Sequence, residues 1–413
     1  MDPRTSPYAP GAGTTPKLLA GRERELERFS ILIDRLQGQR STEAVLFAGA
    51  RAMGKTVLLR ECQRRARSAG WFTTFEEVDP NVPLRQIMAL NARDVLYEMS
   101  TSRRYGDRIK RAFGVLKAFT SIGILGVTLK IDAELMPGTA DSGIFKRDLL
   151  ALFRELGQVA ASDGSGVVFF LDELHSLRGT EEMEVLDAVI HGMAQEALPV
   201  TAVGAGVFSG PGYRDPNDPA GVSSYAGRLY RILRLGPLHD DSARIALVEP
   251  AEAFGVTYEP GALEAAVDFA HGSPYFLQLV GEHAWEEARA VAPPQIKADD
   301  VRRAIARLQA RLDAEFYPAM LGRLDGLPLD CLSWFAALGG ANVAREAFLR
   351  ASGLPWNVDT KLAVDWLADR GILDVGGSRV YSISTPGMVE HLRRAGVVAH
   401  VDDAGGETAP SGQ

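Results

Sequence analysis

The stretch GARAMGKT occupies residues 49–56 and directly follows the apolar run EAVLFA at residues 43–48. It fits the spacing G-x-x-x-x-G-K-[ST] at every fixed position. In a strand–loop–helix setting, such a loop points backbone N–H groups at phosphate oxygens, and the helix N-terminus adds partial positive charge. The sequence therefore predicts a phosphate-binding loop between a strand and a helix. The alternative is an ordinary glycine-containing turn.

The loop residues divide into those that shape the backbone and those that carry charge or a metal. Gly49 and Gly54 let the backbone approach a phosphate closely. Lys55 supplies a point charge for the β- and γ-phosphates, and Thr56 offers a hydroxyl to Mg²⁺. The residues predicted to contact the nucleotide in this loop are Gly49, Ala50, Arg51, Ala52, Met53, Gly54, Lys55, Thr56 and Val57.

A second motif, VVFFLDE at residues 167–173, ends an apolar strand with two acids. Asp172 at the carboxyl end of the strand can hold Mg²⁺ together with Thr56, and Glu173 can polarise the attacking water. We therefore predict Thr56 and Asp172 as metal ligands, and Glu173 and Lys55 as catalytic residues. The alternative is a strand end with two solvated acids.

Composition limits the kinds of partner. The 413 residues carry a net charge of −8, so a coat of nucleic acid held by bulk charge is excluded and any such contact is local. Cys62 and Cys331 have no neighbouring Cys or His at metal spacing, which predicts reduced thiols in a cytoplasmic protein. No secretory signal is visible, and no apolar run reaches the ~20 residues that span a bilayer. We expect no contact with a membrane.

The order of patterns predicts the architecture. Strands and helices alternate up to residue 238, which predicts an α/β fold with a mostly parallel sheet covered on both faces. Helical patterns alone follow, and then a unit of three helices and a β-hairpin around residues 373–383. Both ends are rich in Pro, Gly, Ser and Thr, which predicts disorder.

With LLAGRERELERF at residues 18–29, the two motifs resemble the AAA+ ATPases, in particular the origin-recognition and archaeal-ATPase branch. The resemblance implies ATP and Mg²⁺ as cofactors and a homo-oligomer. It places Gly21 and Arg22, with the following Glu23, beside the adenine. The units it implies are a tail at 1–16, a core at 17–238 with an insertion at 101–146, a helical lid at 239–313, a winged helix at 314–398 and a tail at 399–413.

The family's arginine finger and sensor residues are matched unevenly. YAGRLYRILRLGPL at residues 225–238 fills the place of the finger, with Arg228 the first choice and Arg231 the second. The alternative is that these arginines line an exposed helix. The strand PVTAVGAG ends in Gly206 where the family has a polar sensor, leaving Thr201 and Ser209 as distant substitutes. In the lid, Tyr275 stands near the place of the second sensor, an arginine.

The lack of a polar sensor at Gly206 and of an arginine near Tyr275 both predict slow hydrolysis. His175, after the acidic motif, either senses the phosphate or simply ends the strand loop.

Gly272-Ser273-Pro274 resembles the Gly-x-Pro of signal-transduction (STAND) ATPases, in which the lid proline, here Pro274, packs on the nucleotide. In those proteins a winged helix follows the lid as part of a nucleotide-held switch. His391 matches their phosphate-touching histidine only poorly.

Two segments are candidates for DNA contact. Winged helices often bind DNA through their third helix and wing. Here that helix, at residues 357–371, carries Asp359, Asp365 and Asp369 against Lys361 and Arg370, although DNA contact favours basic residues. A protein-facing surface is the alternative for this unit, although Arg379 and Tyr381 in its wing could still touch a DNA backbone.

Segment 103–117, the second candidate for DNA contact, is more basic than that helix. The alternative is that it is the solvated face of an amphipathic helix. Against Asp107 it carries Arg103, Arg104, Arg108, Lys110, Arg111 and Lys117. The function predicted from the sequence is an oligomeric, slowly hydrolysing AAA+ switch in a DNA-linked process. The alternative is a STAND-type signalling or defence switch with a protein partner.

Overall fold

The fold is seen in a computed structural model, which describes residues 1–11, 13–101, 106–121, 134–177, 180–208, 229–289, 293–322, 324–376 and 380–399. Its core is a five-stranded, all-parallel sheet in the order β2-β3-β4-β1-β5. The strands are β1 (Ala44–Ala48), β2 (Phe72–Glu77), β3 (Val167–Asp172), β4 (Val200–Gly206) and β5 (Tyr230–Arg234). Every residue of β1, β3 and β4 is buried, as expected for central strands covered on both faces.

Helices cover the two faces of this sheet unequally. The helices of the core are α1 (Glu23–Gln37), α2 (Lys55–Ser68), α3 (Leu84–Ser100), α4 (Gly106–Thr120), α5 (Phe145–Ala161) and α6 (Glu181–Gln195). The apolar sides of α1 and α2 pack on one face, and those of α3 to α6 pack on the other. The phosphate-binding loop joins β1 to α2, as the sequence predicted.

Helix α4, which lies within the predicted insertion at 101–146, is part of this layer. Ala112, Val115, Leu116 and Phe119 of α4 are all at most 2% exposed, and α4 packs against α3 and α5. One side of the helix therefore belongs to the core.

A helical unit follows the sheet. It contains α7 (Asp240–Glu252), α8 (Pro260–Ala270), α9 (Pro274–Glu287) and α10 (Ala298–Arg311), with a small parallel sheet of β6 (Thr257–Tyr258) and β7 (Gln295–Ile296). We call these residues, 240–311, the lid. The two short strands were not predicted, because two-residue strands leave no periodicity to detect.

The C-terminal unit begins without a break in the chain's helical path. A π-helical turn (Leu312–Phe316) leads into α11 (Tyr317–Leu321). Then come α12 (Gly326–Ala337), β8 (Val343–Ala344), α13 (Arg345–Ser352), α14 (Val358–Asp369), β9 (Leu373–Gly376), β10 (Val380–Ile383) and α15 (Met388–Arg394). The three strands form an antiparallel sheet in the order β8-β10-β9. One apolar core runs through the lid and this unit, so the predicted boundary at 313 does not separate two cores.

The N-terminal segment corrects the prediction of a disordered tail at 1–16. Tyr8 is 4% exposed, and its hydroxyl donates to the Leu247 carbonyl at 2.7 Å and lies 2.7 Å from the Tyr258 hydroxyl. Gly281 of the lid makes room for the ring, since a Cβ there would lie 2.7 Å from it. One aromatic anchor thus fixes a segment whose composition alone suggests disorder. The other predicted tail lies, from residue 400 on, outside the described residues.

In the described part of the chain, no helix is both long and apolar enough to cross a bilayer. Cys62 and Cys331 are buried and free.

Candidate nucleotide-binding site

The phosphate-binding loop has the backbone that the motif requires. Gly54 has φ +81° and precedes α2, which lacks a side-chain cap among the described residues, so the N–H groups of its first turn are open to an anion. Ala52 also has positive φ, at +64°, a strained value for a residue with a Cβ. Gly49 serves packing, because a Cβ there would lie 2.5 Å from the Leu235 carbonyl oxygen.

Lys55 folds back onto the loop. Its Nζ donates to the carbonyl oxygens of Gly49 at 3.0 Å and Ala50 at 2.7 Å. Burial lowers the pKa of Lys55 to about 8, against the opposing effect of the carboxylates of Glu173 and Asp172. The side chain is thus held by neutral acceptors that a phosphate can replace with a stronger, charge-assisted bond.

The two predicted metal ligands meet. Thr56 Oγ1 donates to Asp172 Oδ2 at 2.6 Å, and Asp172 Oδ1 accepts from the backbone N–H of Glu173 at 2.9 Å. Mg²⁺ prefers hydroxyl, carboxylate and phosphate oxygens. A hydroxyl and a carboxylate in direct contact beside a phosphate-binding loop fit such an ion.

Glu173 lies at the carboxyl end of β3 with φ +51°, a left-handed conformation that costs a non-glycine residue about 1–3 kcal/mol. The short 3₁₀ turn Leu174–Leu177 follows it. His175 Nδ1 lies 3.4 Å from Glu173 Oε2. Burial lowers the pKa of His175 to about 4, with a further lowering by the nearby charges of Lys55 and Arg51.

A cavity of about 530 Å³ connects these groups. Of the predicted site residues it is lined by Arg22, Arg51, Ala52, Met53, Gly54, Lys55, Thr56, Val57, Glu173 and Pro274. Gly21, Gly49, Ala50 and Asp172 are not part of this lining. Gly21, at φ +69°, instead gives room to Ser242 of the lid.

The rest of the wall was missed from the sequence. Most of it comes from the N-terminal segment, from the lid and from the start of the C-terminal unit. These residues are Ala9, Pro10, Gly11, Gly13, Thr14, Pro16, Leu18, Leu19, Ala20, Leu238, Ala246, Tyr275, Gln278, Phe316, Ala319 and Met320. The wall is largely apolar, which suits a nucleobase. Tyr8, a lone aromatic in a Pro- and Gly-rich stretch, was the available signal.

Arg22 does more than border the cavity. Its guanidinium is buried and donates to the carbonyl oxygens of Met53 at 3.2 Å and Gly236 at 2.8 Å. The side chain therefore braces the phosphate-binding loop against the segment after β5. Burial lowers the pKa of Arg22.

The lid touches the loop at the predicted Gly-Ser-Pro. Ser273 Oγ donates to the Ala52 carbonyl at 3.1 Å. Pro274 opens α9 and would lie 3.8 Å from a Cβ built on Gly54. Tyr275 lines the cavity and stacks on Phe316 with ring centroids 6.1 Å apart.

The C-terminal unit touches the same loop. Arg51 Nε donates to the Arg370 carbonyl at 3.3 Å. Gly371, at φ +67°, packs against Val207 just after β4, since a Cβ there would lie 3.2 Å from both Val207 methyl carbons. We call residues 369–371 the docking turn. His391 is elsewhere: its Nδ1 lies 2.8 Å from Asp313 Oδ1, and it does not line the cavity.

Other predicted residues divide as follows. Arg228, Ser209, Arg379, Arg103 and Arg104 fall outside the described residues. Arg231 lies on edge strand β5, 3.1 Å from Glu43 Oε2. Two others lie in the interior: Thr201 is buried in β4 and bonds the Ala202 carbonyl, and Tyr381 is 6% exposed and packs on Phe335. Tyr381 is therefore unsuited to touching a DNA backbone.

Two basic side chains of segment 103–117 form ion pairs in the described part of the chain. On α4, Arg111 pairs with Glu155 at 3.1 Å and Lys110 pairs with Asp107 at 3.2 Å. On α14, the outward positions Val358 and Leu362 are 73% and 60% exposed.

Comparison with known proteins agrees with this geometry. Residues 18–203 match the AAA ATPase domain family. A Walker-type ATPase of Pyrococcus abyssi is similar in structure, with 17% identity, a TM-score of 0.55, and coverage of 92% of this chain and 97% of that one. The ORC2 protein of Aeropyrum pernix has 16% identity, a TM-score of 0.53, and coverage of 93% and 96%. The sequence has no significant match to a curated protein.

Residues 18–203 are therefore an AAA ATPase domain, and the chain has the AAA+ P-loop fold shared by those two structures. ATP binding and the ATPase class follow at that general level.

Proposed function

We propose that this chain is a molecular switch that binds Mg·ATP in the cavity, hydrolyses it slowly and acts as a homo-oligomer. One observation carries the proposal. The N-terminal segment, the phosphate-binding loop, the lid and the start of the C-terminal unit all line one cavity. A nucleotide bound there would contact all four, so its binding and loss would change how they are held together.

Each predicted catalytic group has a role in this proposal. Lys55 leaves the loop carbonyls and binds the β- and γ-phosphates. Thr56 and Asp172 hold Mg²⁺, which when bound offsets charge on the phosphates. Glu173, on the cavity wall beside them, orients the attacking water. The pair Tyr275 and Phe316 borders the space for the base, and Pro274 closes the lid over the loop.

Slow hydrolysis is proposed from what the site lacks. β4 ends in Gly206, so no side chain of that position reaches the water. Tyr275 carries no positive charge for the γ-phosphate, where the family has an arginine. Charge developing on the transferred phosphoryl group is then offset by fewer groups, and such groups are worth several kcal/mol in related chemistry.

Assembly would supply one more positive group. We propose Arg228 as the residue that completes a neighbouring subunit's site, with Arg231 as second choice. Arg231 belongs to edge strand β5, and its side chain is 55% exposed beside Glu43. A second copy could therefore reach this edge of the sheet.

What the switch controls has two candidates. A DNA-linked process is supported by the exposed basic side chains of α4. A STAND-type regulatory switch is supported by the docking turn, which places the C-terminal unit directly on Arg51 of the phosphate-binding loop. We read α12, α13 and α14 with the three strands of that unit as a winged helix. Its α14, with Val358 and Leu362 exposed among acidic residues, faces a protein partner.

ATPase rate and particle size, each measured with and without duplex DNA, separate the two. Turnover or assembly stimulated by DNA supports the first candidate. In that case, Arg108→Glu with Lys110→Glu on α4 should weaken DNA binding and its salt dependence more than Lys361→Glu on α14. Assembly that depends on nucleotide but is unchanged by DNA supports the second candidate. A protein that neither binds nor hydrolyses ATP contradicts both.

A further inference from the structure

The carboxyl end of β4 has a gap that a neighbouring turn fills. A Cβ on Gly204 would lie 2.5 Å from Leu174 Cδ2, and a Cβ on Gly206 would lie 2.9 Å from His175 Nδ1 and 3.0 Å from its backbone nitrogen. These distances are shorter than real Cβ contacts allow. The two glycines therefore let the 3₁₀ turn after Glu173 lie directly on the strand.

His175 occupies the place that a longer side chain at the end of β4 would take. Its side chain is 16% exposed, and the ring of Phe208 meets it edge-on with centroids 6.2 Å apart. Nδ1 is buried and has no hydrogen-bond partner among the described residues. The nearest carboxylate oxygen is Glu173 Oε2, at 3.4 Å. That distance is beyond a good hydrogen bond, but catalytic contacts are often long before substrate binds.

Asp172, the acid next to Glu173, already takes part in hydrogen bonds. Both oxygens of Asp172 accept bonds, one from Thr56 and one from the backbone of Glu173. Glu173, with its strained backbone and a side chain 33% exposed, has only His175 Nδ1 at this range in the described ion pairs. Lys55 and Arg51 lie close enough to disfavour a positive charge on the imidazole. A neutral imidazole can donate one N–H without adding charge.

We propose that His175 is the positioning residue for Glu173: its Nδ1 holds one carboxylate oxygen, so that the other faces the attacking water. The space for it comes from Gly206. The inference rests on the proposed function, because it requires Glu173 to orient that water. The turn after β3 thereby supplies the polar side chain near the attacking water that the end of β4 lacks.

Two substitutions separate positioning from simple packing. His175→Asn keeps a donor near the position of Nδ1 but loses bulk. His175→Leu keeps bulk but loses the donor. His283→Leu in the lid is the matched control, since its Nδ1 lies 3.3 Å from Glu286 with the side chain 23% exposed.

The measurement is phosphate release by the full chain over a range of Mg·ATP concentrations. We expect His175→Leu to lower kcat by about 10- to 100-fold with KM changed less than about twofold, since misplacing a catalytic group costs on this order. His175→Asn and His283→Leu should stay within about threefold of the unmodified protein. If His175→Leu does not fold, as judged by melting, His175→Ala replaces it with the same expected loss.

Unchanged kcat in His175→Leu, or equal losses in His175→Asn and His175→Leu, would overturn the inference. Glu173→Gln, measured in parallel, distinguishes a failure of the inference about His175 from a failure of the proposed function. If Glu173→Gln still hydrolyses ATP at the normal rate, the proposed role of Glu173 fails. If Glu173→Gln is inactive and both His175 variants are normal, only the inference about His175 fails.

Discussion

Thr56 and Asp172, 116 residues apart in sequence, are joined by a hydrogen bond of 2.6 Å between Oγ1 and Oδ2. The bond ties the first turn of α2, which follows β1, to the carboxyl end of β3, across the one intervening strand, β4. Both oxygens are ones that Mg²⁺ takes as ligands, so metal binding would replace this contact with two metal bonds.

Thr56→Val should therefore remove most of the Mg²⁺ dependence of ATP binding. Valine keeps the shape of threonine but offers no oxygen to the metal. The measurement is ATP affinity with and without Mg²⁺ by equilibrium titration. Thr120→Val is the control, because that hydroxyl donates to the Lys117 carbonyl of its own helix. An unchanged Mg²⁺ effect in Thr56→Val would contradict the metal assignment.

Gly371→Val should release the C-terminal unit from the phosphate-binding loop. The added side chain would meet Val207 at the docking turn, where a Cβ already lies 3.2 Å from both methyl carbons. Limited proteolysis should show faster cleavage between the lid and the C-terminal unit, and X-ray scattering a larger radius.

Gly353→Val is the matched control for this prediction. Gly353 has φ +66°, close to the +67° of Gly371, but nothing lies within 4 Å of a Cβ built there. Both variants carry the same backbone strain, roughly 1 kcal/mol or more. If the two behave alike, strain rather than docking explains the effect.

Tyr8→Phe should weaken ATP binding without abolishing it. The change removes the hydroxyl that donates to Leu247 and pairs with Tyr258, and leaving buried partners unpaired costs about 1–3 kcal/mol. The N-terminal segment would then leave the cavity wall more often. ATP titration measures this, and Tyr97→Phe, 45% exposed on α3, is the control. Equal affinities for ATP in Tyr8→Phe and the unmodified protein would contradict a role for the segment in binding.

Asp187 of α6 provides a test of pH dependence. Burial raises its pKa to about 6, against the bond donated by the Tyr230 hydroxyl at 2.8 Å. An acid with a raised pKa binds more protons folded than unfolded between about pH 4 and 6, so its contribution to the free energy of unfolding falls as pH rises through that window. Asp187→Asn removes this loss and keeps an oxygen to accept from Tyr230.

Asp187→Asn should therefore melt higher than the unmodified protein at pH 8, by an amount equivalent to about 1–3 kcal/mol. Near pH 4 the difference should be much smaller, since the carboxyl is then protonated in the folded state and about half protonated in the unfolded state. Thermal melting at the two pH values checks this. A difference that is equal at both pH values, or larger at pH 4, would show that charge burial at Asp187 is not the cause.

The motifs were predictable because their chemistry fixes residue types over a few positions. A phosphate-binding loop needs Gly54, Lys55 and Thr56 together, and a metal-holding strand end needs Asp172 after apolar residues. The sequence could therefore predict that Thr56 and Asp172 meet. It also predicted the parallel sheet, because strands and helices alternate along the chain up to residue 238.

The rest of the site depends on contacts between distant segments, which leave no local pattern. Tyr8 needs the space above Gly281, and composition around Tyr8 suggested disorder instead. His175 needs the space above Gly206, which the sequence showed only as a missing polar residue. The docking turn depends on the packing of a whole unit, and Gly371 alone reads as an ordinary helix end.

The most direct test of the account is phosphate release by Glu173→Gln, measured on protein whose ATP occupancy has been determined by titration. We expect normal ATP binding and phosphate release lowered by at least about 100-fold, because glutamine keeps the shape of Glu173 but cannot polarise the water. Lys55→Ala is the reference for lost binding, and should keep its fold but take up no ATP. Phosphate release by Glu173→Gln at the rate of the unmodified protein, at equal occupancy, would contradict the account.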